Sequence, residues 1–330
     1  MSVTHDPKIE LHVHLEGTIQ PHTLLQIARR NDVALPVSTE AELAELYEFR
    51  DFAHFIEVWV LTTNCLRTGD DFRRIVVDYA AQAATCGAVY IEAIFSPAER
   101  MMRGVDGDEL FTGYVEGAVE AYERYGVIIR FTPDLYRGMP DLALAEQVAR
   151  LCVKYADRGV VGLGVGGNDA HSPLALFARC FEIARDGGLG VVPHAGESAG
   201  PDSIREALDM GAHRIRHGIR AVDDPALLTE LAQLGTVLDV CPTSNLRTRV
   251  VRSLDEHPLP ALTAAGVRCS ISTDDPAMFG TDLESEYRIA ASLGVSPRQA
   301  YEAGLAGALC DEATRHRLVE IGTYWTSNSR

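Results

Sequence analysis

Residues 8–14 read KIELHVH, a short run in which polar and apolar side chains alternate. Alternation with period two marks a β-strand and aims His12 and His14, two positions apart, to the same side. Working outward, seven more apolar or β-branched runs recur, at 88–94 (AVYIEAI), 127–132 (VIIRFT), 160–165 (VVGLGV), 189–194 (LGVVPH), 213–217 (HRIRH), 235–240 (GTVLDV) and 267–273 (VRCSIST). Between them lie stretches with apolar residues at helical spacing, such as LFARCFEIARDGG and PALLTELAQLG, the latter closing on a glycine as helices often do. Eight strand-then-helix repeats predict an α/β chain whose parallel sheet closes into a TIM-type (β/α)8 barrel, with a doubly wound open sheet as the runner-up. No GxGxxG or Walker loop follows the first strand, which counts against the runner-up as a nucleotide-cofactor fold.

Two features depart from the simple repeat. Residues 15–87 separate the first two strands and read as inserted helices, including the aromatic run YEFRDFAHFIEVW at 47–59. Because βα loops build the active face of a barrel, this insertion is expected to form a pocket wall or lid. After residue 281 the patterns ESEYRIAASLG and SPRQAYEAGLAGAL predict C-terminal helices on the barrel's exterior. No linker, low-complexity tract or repeat divides the chain, so residues 1–330 are expected to form a single domain.

Composition narrows the function. Of 330 residues, 30 are basic and 47 acidic, a net charge of -17, whereas a nucleic-acid binder needs a basic footprint. The amino terminus MSVTHDPKIE has no export-signal pattern and no window is apolar enough to span a bilayer, so a cytoplasmic protein without a membrane partner is expected. Seven scattered cysteines with no CxxC pair fit reduced, buried thiols. Only Lys8 and Lys154 are lysines. Lys8 begins the first strand, at the wrong end of a barrel for Schiff-base chemistry.

The chemistry-bearing side chains fall at strand ends. His12 and His14 end the first run, His194 the fifth and His217 the sixth, while Asp274 and Asp275 follow the eighth. One strand-end histidine is ordinarily a packed core residue. Four of them with adjacent aspartates, converging on one barrel mouth, predict a metal site. Three imidazoles and a carboxylate suit Zn2+, with Fe2+, Co2+ or Mn2+ as substitutes that affinity ordering leaves open. A zinc with an open coordination position lowers the pKa of water toward about 7, so hydrolysis is the expected reaction class. The fourth strand offers no lysine to bridge a second metal, so one ion per chain is expected.

HVHLEG (12–17), HAGE (194–197), RIRHG (214–218), CPTSN (241–245) and STDDP (272–276), in this order and spacing, resemble the adenosine and adenine deaminase family of the amidohydrolase superfamily. The resemblance implies that His12, His14, His194 and Asp274 hold one zinc. It further implies that Glu197 protonates N1 of a purine during attack at C6, and that His217 orients the metal-bound water and assists its deprotonation. Asp275 matches the carboxylate that binds N7, and Gly167 sits where the family offers a backbone N–H to N3. Glu197 must then rest protonated, which calls for a dry pocket or neighbouring carboxylates.

The substrate is less determined. Adenosine deaminases usually carry aspartate where this chain has Glu16, as the adenine-specific relatives do, which leaves a sugar contact at that position open. The adenine branch tends to show a serine pair at Gly166 and Gly167, and an aspartate at Arg216. This hybrid resembles the members that deaminate 6-aminodeoxyfutalosine in menaquinone synthesis, a small 6-aminopurine nucleoside bearing an aryl carboxylate. Arg216, Arg220, Arg247 and Arg249 follow or end the sixth and seventh strands, and guanidinium forks suit such a carboxylate. Adenosine and free adenine remain alternatives, and a non-catalytic metal-binding barrel is the alternative of another class.

Overall fold

The computed structural model describes residues 6–139 and 141–328. The reading of the first five residues lies outside the described residues. Ten strand segments appear among the described residues: β1 (Lys8–His14), β2 (Ala88–Ile94), β3 (Ile128–Phe131), β4 (Asp134–Tyr136), β5 (Gly162–Gly166), β6 (Gly190–Val191), β7 (His194–Ala195), β8 (Arg214–His217), β9 (Val237–Val240) and β10 (Arg268–Ile271). They form eight staves: the third predicted run, 127–132, continues past Pro133 as β4, and the fifth is cut in two. Pro133 and Pro193 sit at the cuts, where a residue without an N–H interrupts the ladder. Each proline still accepts: Gly164 N–H donates to the Pro133 carbonyl at 2.9 Å and Arg216 N–H to that of Pro193 at 3.0 Å.

All pairings are parallel, and the third stave pairs with β2 through β3 and with β5 through β4. Closure comes from His14 N–H donating to the Asp274 carbonyl at 2.8 Å and Asp274 N–H to that of His12 at 3.0 Å. The sheet is thus a closed (β/α)8 barrel, and β1 meets the segment after β10 at the active mouth.

β1 carries a register shift between Glu10 and Val13, so Ile9 and Leu11 pack in a different cluster from Val13. Ile9 and Leu11 pack with Tyr90, Tyr301 and Leu318. Glu10 accepts from the Tyr79 hydroxyl at 2.5 Å and from that of Thr273 at 2.6 Å. The barrel floor is charged but compensated: fully buried Arg214 reaches Asp239 at 2.6 Å and Glu92 at 2.7 Å. Unpaired, such ions would cost several kcal/mol each, about the scale of whole-domain stability.

Residues 15–87 hold a short 3-10 turn and four helices, α1 (Pro21–Arg30), α2 (Glu40–Leu46), α3 (Phe52–Thr63) and α4 (Gly69–Thr85). The aromatic run at 47–59 is not one helix. Asp51, in extended conformation, accepts from His54 N–H and starts α3 after it. Following β2 come α5 (Pro97–Met101) and α6 (Gly107–Tyr125), and α6 packs closely on α4. Gly113 permits the approach, since a Cβ there would lie 2.4 Å from the Gly69 carbonyl oxygen. At the carboxyl end, the helix Pro297–Gly307 packs on β1 beneath the barrel floor, where a Cβ on Gly304 would sit 2.8 Å from that of Ile9 and Arg214 donates to the Gly307 carbonyl at 2.8 Å. No helix among the described residues is long and apolar enough to cross a membrane.

Candidate active site

A cavity opens at the carboxyl ends of the strands. Its polar floor comes from His14, His194, Glu197, His217, Asp274 and Asp275, and one wall from Phe52, Phe55, Ile56 and Trp59 of α3. Two floor residues have left-handed backbones without being glycine, His217 at φ 60° and Asp274 at φ 65°. Such conformations cost roughly 1–3 kcal/mol, and here they turn the chain at the strand ends so that both side chains enter the cavity.

The structure brings His12, His14, His194 and Asp274 together. Nε2 of His194 lies 3.1 Å from Nε2 of His12 and 3.3 Å from that of His14. Oδ1 of Asp274 is 3.4 Å from Nε2 of both His12 and His14. Four donors placed ~2.0–2.1 Å from one tetrahedral ion stand about 3.3 Å apart, so these spacings fit a single divalent metal. Burial pushes His12 and His194 well below the usual histidine range and His14 down to about 4, outweighing the pull of Asp274 on His12 and His14. For Asp274 burial acts upward, but His12, His217 and His14 hold it well below the usual carboxylate range. Neutral imidazoles and an ionised carboxylate are the ligand forms.

Outer contacts orient the same atoms. Nδ1 of His194 lies 3.1 Å from the Val165 carbonyl oxygen, which it meets as a donor, leaving the Nε2 lone pair for the cluster. Ser244 Oγ donates to Oδ2 of Asp274 at 2.6 Å, so Oδ1 faces the histidines. Fully buried Asn245 lies beside His217.

Beside this cluster, His217 Nε2 is 3.6 Å from Glu197 Oε2 and 3.7 Å from Asp274 Oδ2. Burial, then Asp274 and Asp169, pushes the Glu197 carboxyl well above its ordinary range. Burial and the adjoining Asp274 do the same to Asp275, whose Oδ1 accepts from Trp59 Nε1 at 2.8 Å. Gly167 lines the cavity with φ 92°, a backbone that a side chain would strain. Gly166 and Gly164 leave room beneath it for Asp134 and Arg216, since a Cβ at either would fall within 2.6 Å of an Asp134 oxygen.

Five residues weighed in the sequence fall outside the cavity lining. Glu16 does not line the cavity; the turn after β1 sends its Oε1 to accept from Ser96 N–H at 2.9 Å. Arg216 is buried beneath the site, bound to Asp134 and, at 2.7 Å, to the Thr132 hydroxyl. Arg220 donates to the Val250 carbonyl at 3.3 Å, and Arg247 to that of Tyr47 at 3.0 Å, while Arg249 lies outside the cavity lining. These side chains satisfy local carbonyls and carboxylates, and no arginine is among the lining residues.

Three residues went unread in the sequence. Asp169 accepts from the N–H groups of Glu197, Ser198 and Ala199 at 2.9–3.1 Å, holding the loop that carries Glu197. Trp59 pins Asp275, and Glu99 presents a buried carboxyl whose Oε2 has no partner. Asp169 left a trace as an acidic residue shortly after the fourth strand, and Trp59 as the last residue of the aromatic run at 47–59.

The adenosine deaminase family model matches residues 7–321. The chain belongs to the adenosine deaminase family. It is 53% identical, over its whole length and 95% of the relative's, to aminodeoxyfutalosine deaminase of Acidothermus cellulolyticus. It is 36% identical to adenine deaminase of Agrobacterium fabrum, over 96% of this chain and 98% of that one. Adenine deaminase from Arthrobacter aurescens superposes with a TM-score of 0.91 at 30% identity, covering 97% of this chain and 99% of that one. As a member of the adenosine deaminase family, this barrel is a hydrolase that acts on carbon–nitrogen bonds.

Proposed function

We propose that this enzyme hydrolytically deaminates a 6-aminopurine nucleoside, with 6-aminodeoxyfutalosine as the favoured substrate. Water adds at C6 and the amino group leaves as ammonia, giving the 6-oxopurine. The observation that carries this reading is a buried carboxyl, Glu197, in one cavity with the cluster of His12, His14, His194 and Asp274. The relative that is 53% identical over the full chain supports the individual substrate.

His12, His14, His194 and Asp274 would hold one Zn2+ per chain, which the nitrogen-rich donor set favours. When bound, zinc supplies Lewis acidity and lowers the pKa of water. Glu197 gives its proton to N1 of the purine as C6 becomes tetrahedral, relieving the charge that attack builds on the ring. His217 orients the attacking water. Asp275, protonated, donates to N7, and Gly167 offers its N–H to N3. The insertion at 15–87 forms the wall that excludes water, and its Phe52, Phe55 and Ile56 give an aryl extension an apolar surface. The reading includes a cytoplasmic location, with which seven unpaired cysteines agree.

Comparing kcat/KM for 6-aminodeoxyfutalosine, adenosine and adenine, with ammonia release as the signal, tests the substrate. The nucleoside with the aryl carboxylate is expected to lead; a preference for free adenine by a factor of about 100 or more would end the nucleoside reading.

A further inference from the structure

Beneath His217 runs a line of three buried side chains whose hydrogen bonds have only one consistent direction. His257 is 4% exposed and Asn245 fully buried. The line starts at Leu259, whose backbone N–H lies 3.1 Å from Nδ1 of His257. A backbone N–H can only donate, so His257 Nδ1 bears no hydrogen, and the ring's hydrogen is on Nε2. That Nε2 is 3.2 Å from Oδ1 of Asn245. The atom of Asn245 facing His257 must therefore be its carbonyl oxygen, and the amide nitrogen faces the other way. This removes the ordinary ambiguity between the two ends of an amide. Nδ2 of Asn245 in turn lies 3.3 Å from Nδ1 of His217. A primary amide nitrogen donates and does not accept, so His217 Nδ1 is the acceptor.

We infer that Leu259, His257 and Asn245 form a relay of fixed polarity that places the hydrogen of neutral His217 on Nε2, the atom facing the cavity. The inference rests on the reading of His217 as a site residue and deepens it. His217 Nε2 then donates into the space bounded by Glu197 Oε2 and Asp274 Oδ2, at 3.6 and 3.7 Å. In this tautomer it holds an oxygen by donation and has no lone pair at Nε2 with which to take a proton. The acceptor role that the family resemblance assigns to it therefore belongs to another group. His257 and Asn245 lie outside the cavity lining and act through His217; they are positioning residues. Burial also pushes His257 down to about 4, which keeps its ring neutral and the relay intact at neutral pH.

Nitrogen-15 NMR of histidine-labelled, zinc-loaded enzyme reads the tautomer directly, with His217→Gln and His257→Gln enzymes identifying the two signals. The wild-type protein should show His217 with a bare Nδ1 and a hydrogen on Nε2. Asn245→Asp substitutes a group that can only accept, so His217 should gain a hydrogen on Nδ1. Turnover should drop by about 100-fold or more, the scale of enforcing the wrong tautomer on a catalytic histidine, with zinc content unchanged and KM within about threefold. His257→Leu should cost about 10-fold in kcat, and His257→Gln, which retains an amide N–H toward Asn245, should recover most of it. A wild-type His217 with its hydrogen on Nδ1, or an Asn245→Asp enzyme within about threefold of wild-type kcat, overturns the relay. If the wild-type enzyme deaminates none of the 6-aminopurines, the functional reading fails while the nitrogen spectrum still decides the relay.

Discussion

Glu197 and His194 occupy the same cavity yet should fail in different ways when changed. Glu197→Gln keeps the shape and leaves the four donors alone, so metal content should hold while turnover falls by about 100-fold or more. His194→Ala removes a member of the donor cluster, so metal and turnover should disappear together; metal analysis beside an ammonia assay separates the two. Glu99 makes a prediction about stability. Burial is the main force raising its carboxyl to about 7 from 4.5, with Arg100 opposing. The folded state thus holds this proton over a range where the unfolded chain has lost it. Stability falls as pH rises from about 4.5 to 7, by at most about 3 kcal/mol for such a shift. Glu99→Gln should escape that loss, so its advantage over wild type in urea unfolding should be larger at pH 8 than at pH 5. An equal difference at both values would mean that Glu99 does not titrate as its burial requires. The histidines and the aspartates were legible because they stand at strand ends, and Glu197 through the resemblance of HAGE to the family motif. Glu99 was not, since nothing in PAER at 97–100 shows that its side chain turns inward.

Among the elements, α3 links the insertion to the chemistry. Trp59 Nε1 donates to Asp275 Oδ1, which ties the wall to the carboxyl proposed to meet the purine. Trp59→Phe retains the apolar wall but leaves that oxygen without a donor, a change worth about 1–3 kcal/mol for a buried group. It should lower kcat/KM by about 10-fold or more without loss of metal, as steady-state kinetics would reveal; undiminished kcat/KM would show that the indole does not position Asp275. All eight strand runs were readable from their apolar character. The cuts at Pro133 and Pro193 were present in the sequence too, but their meaning depends on which neighbour each half-strand pairs with. Within the aromatic run at 47–59, Asp51 caps the start of α3.

For the whole molecule, the charged floor of the barrel is the point of greatest sensitivity. Arg214 is fully buried between Asp239 and Glu92; burial lowers its affinity for the proton, but the two carboxylates outweigh that and hold it above its ordinary value. Arg214→Met would strand two negative charges in the interior, costing about 3–5 kcal/mol. Urea denaturation should show that loss, and a change below about 1 kcal/mol would mean that the carboxylates take up protons at little cost. Closure itself depends on His12, His14 and Asp274, whose backbones join the first and last staves while their side chains converge in the cavity. Fold and site share those residues, so an error in the closing register would dismantle both.

The order of strands and helices, the barrel class and the convergence of four histidines and two aspartates on one mouth were determined by the sequence alone. Each depends on local periodicity and on which strand end a residue occupies. Only the tertiary structure decided which polar groups meet: Trp59 with Asp275, Asp169 with the Glu197 loop, Arg216 with Asp134, and His257 with Asn245. These contacts join residues 12 to 216 positions apart. Hydrogen bonds and ion pairs at such separations depend on distance and angle in space, which no periodicity along the chain encodes.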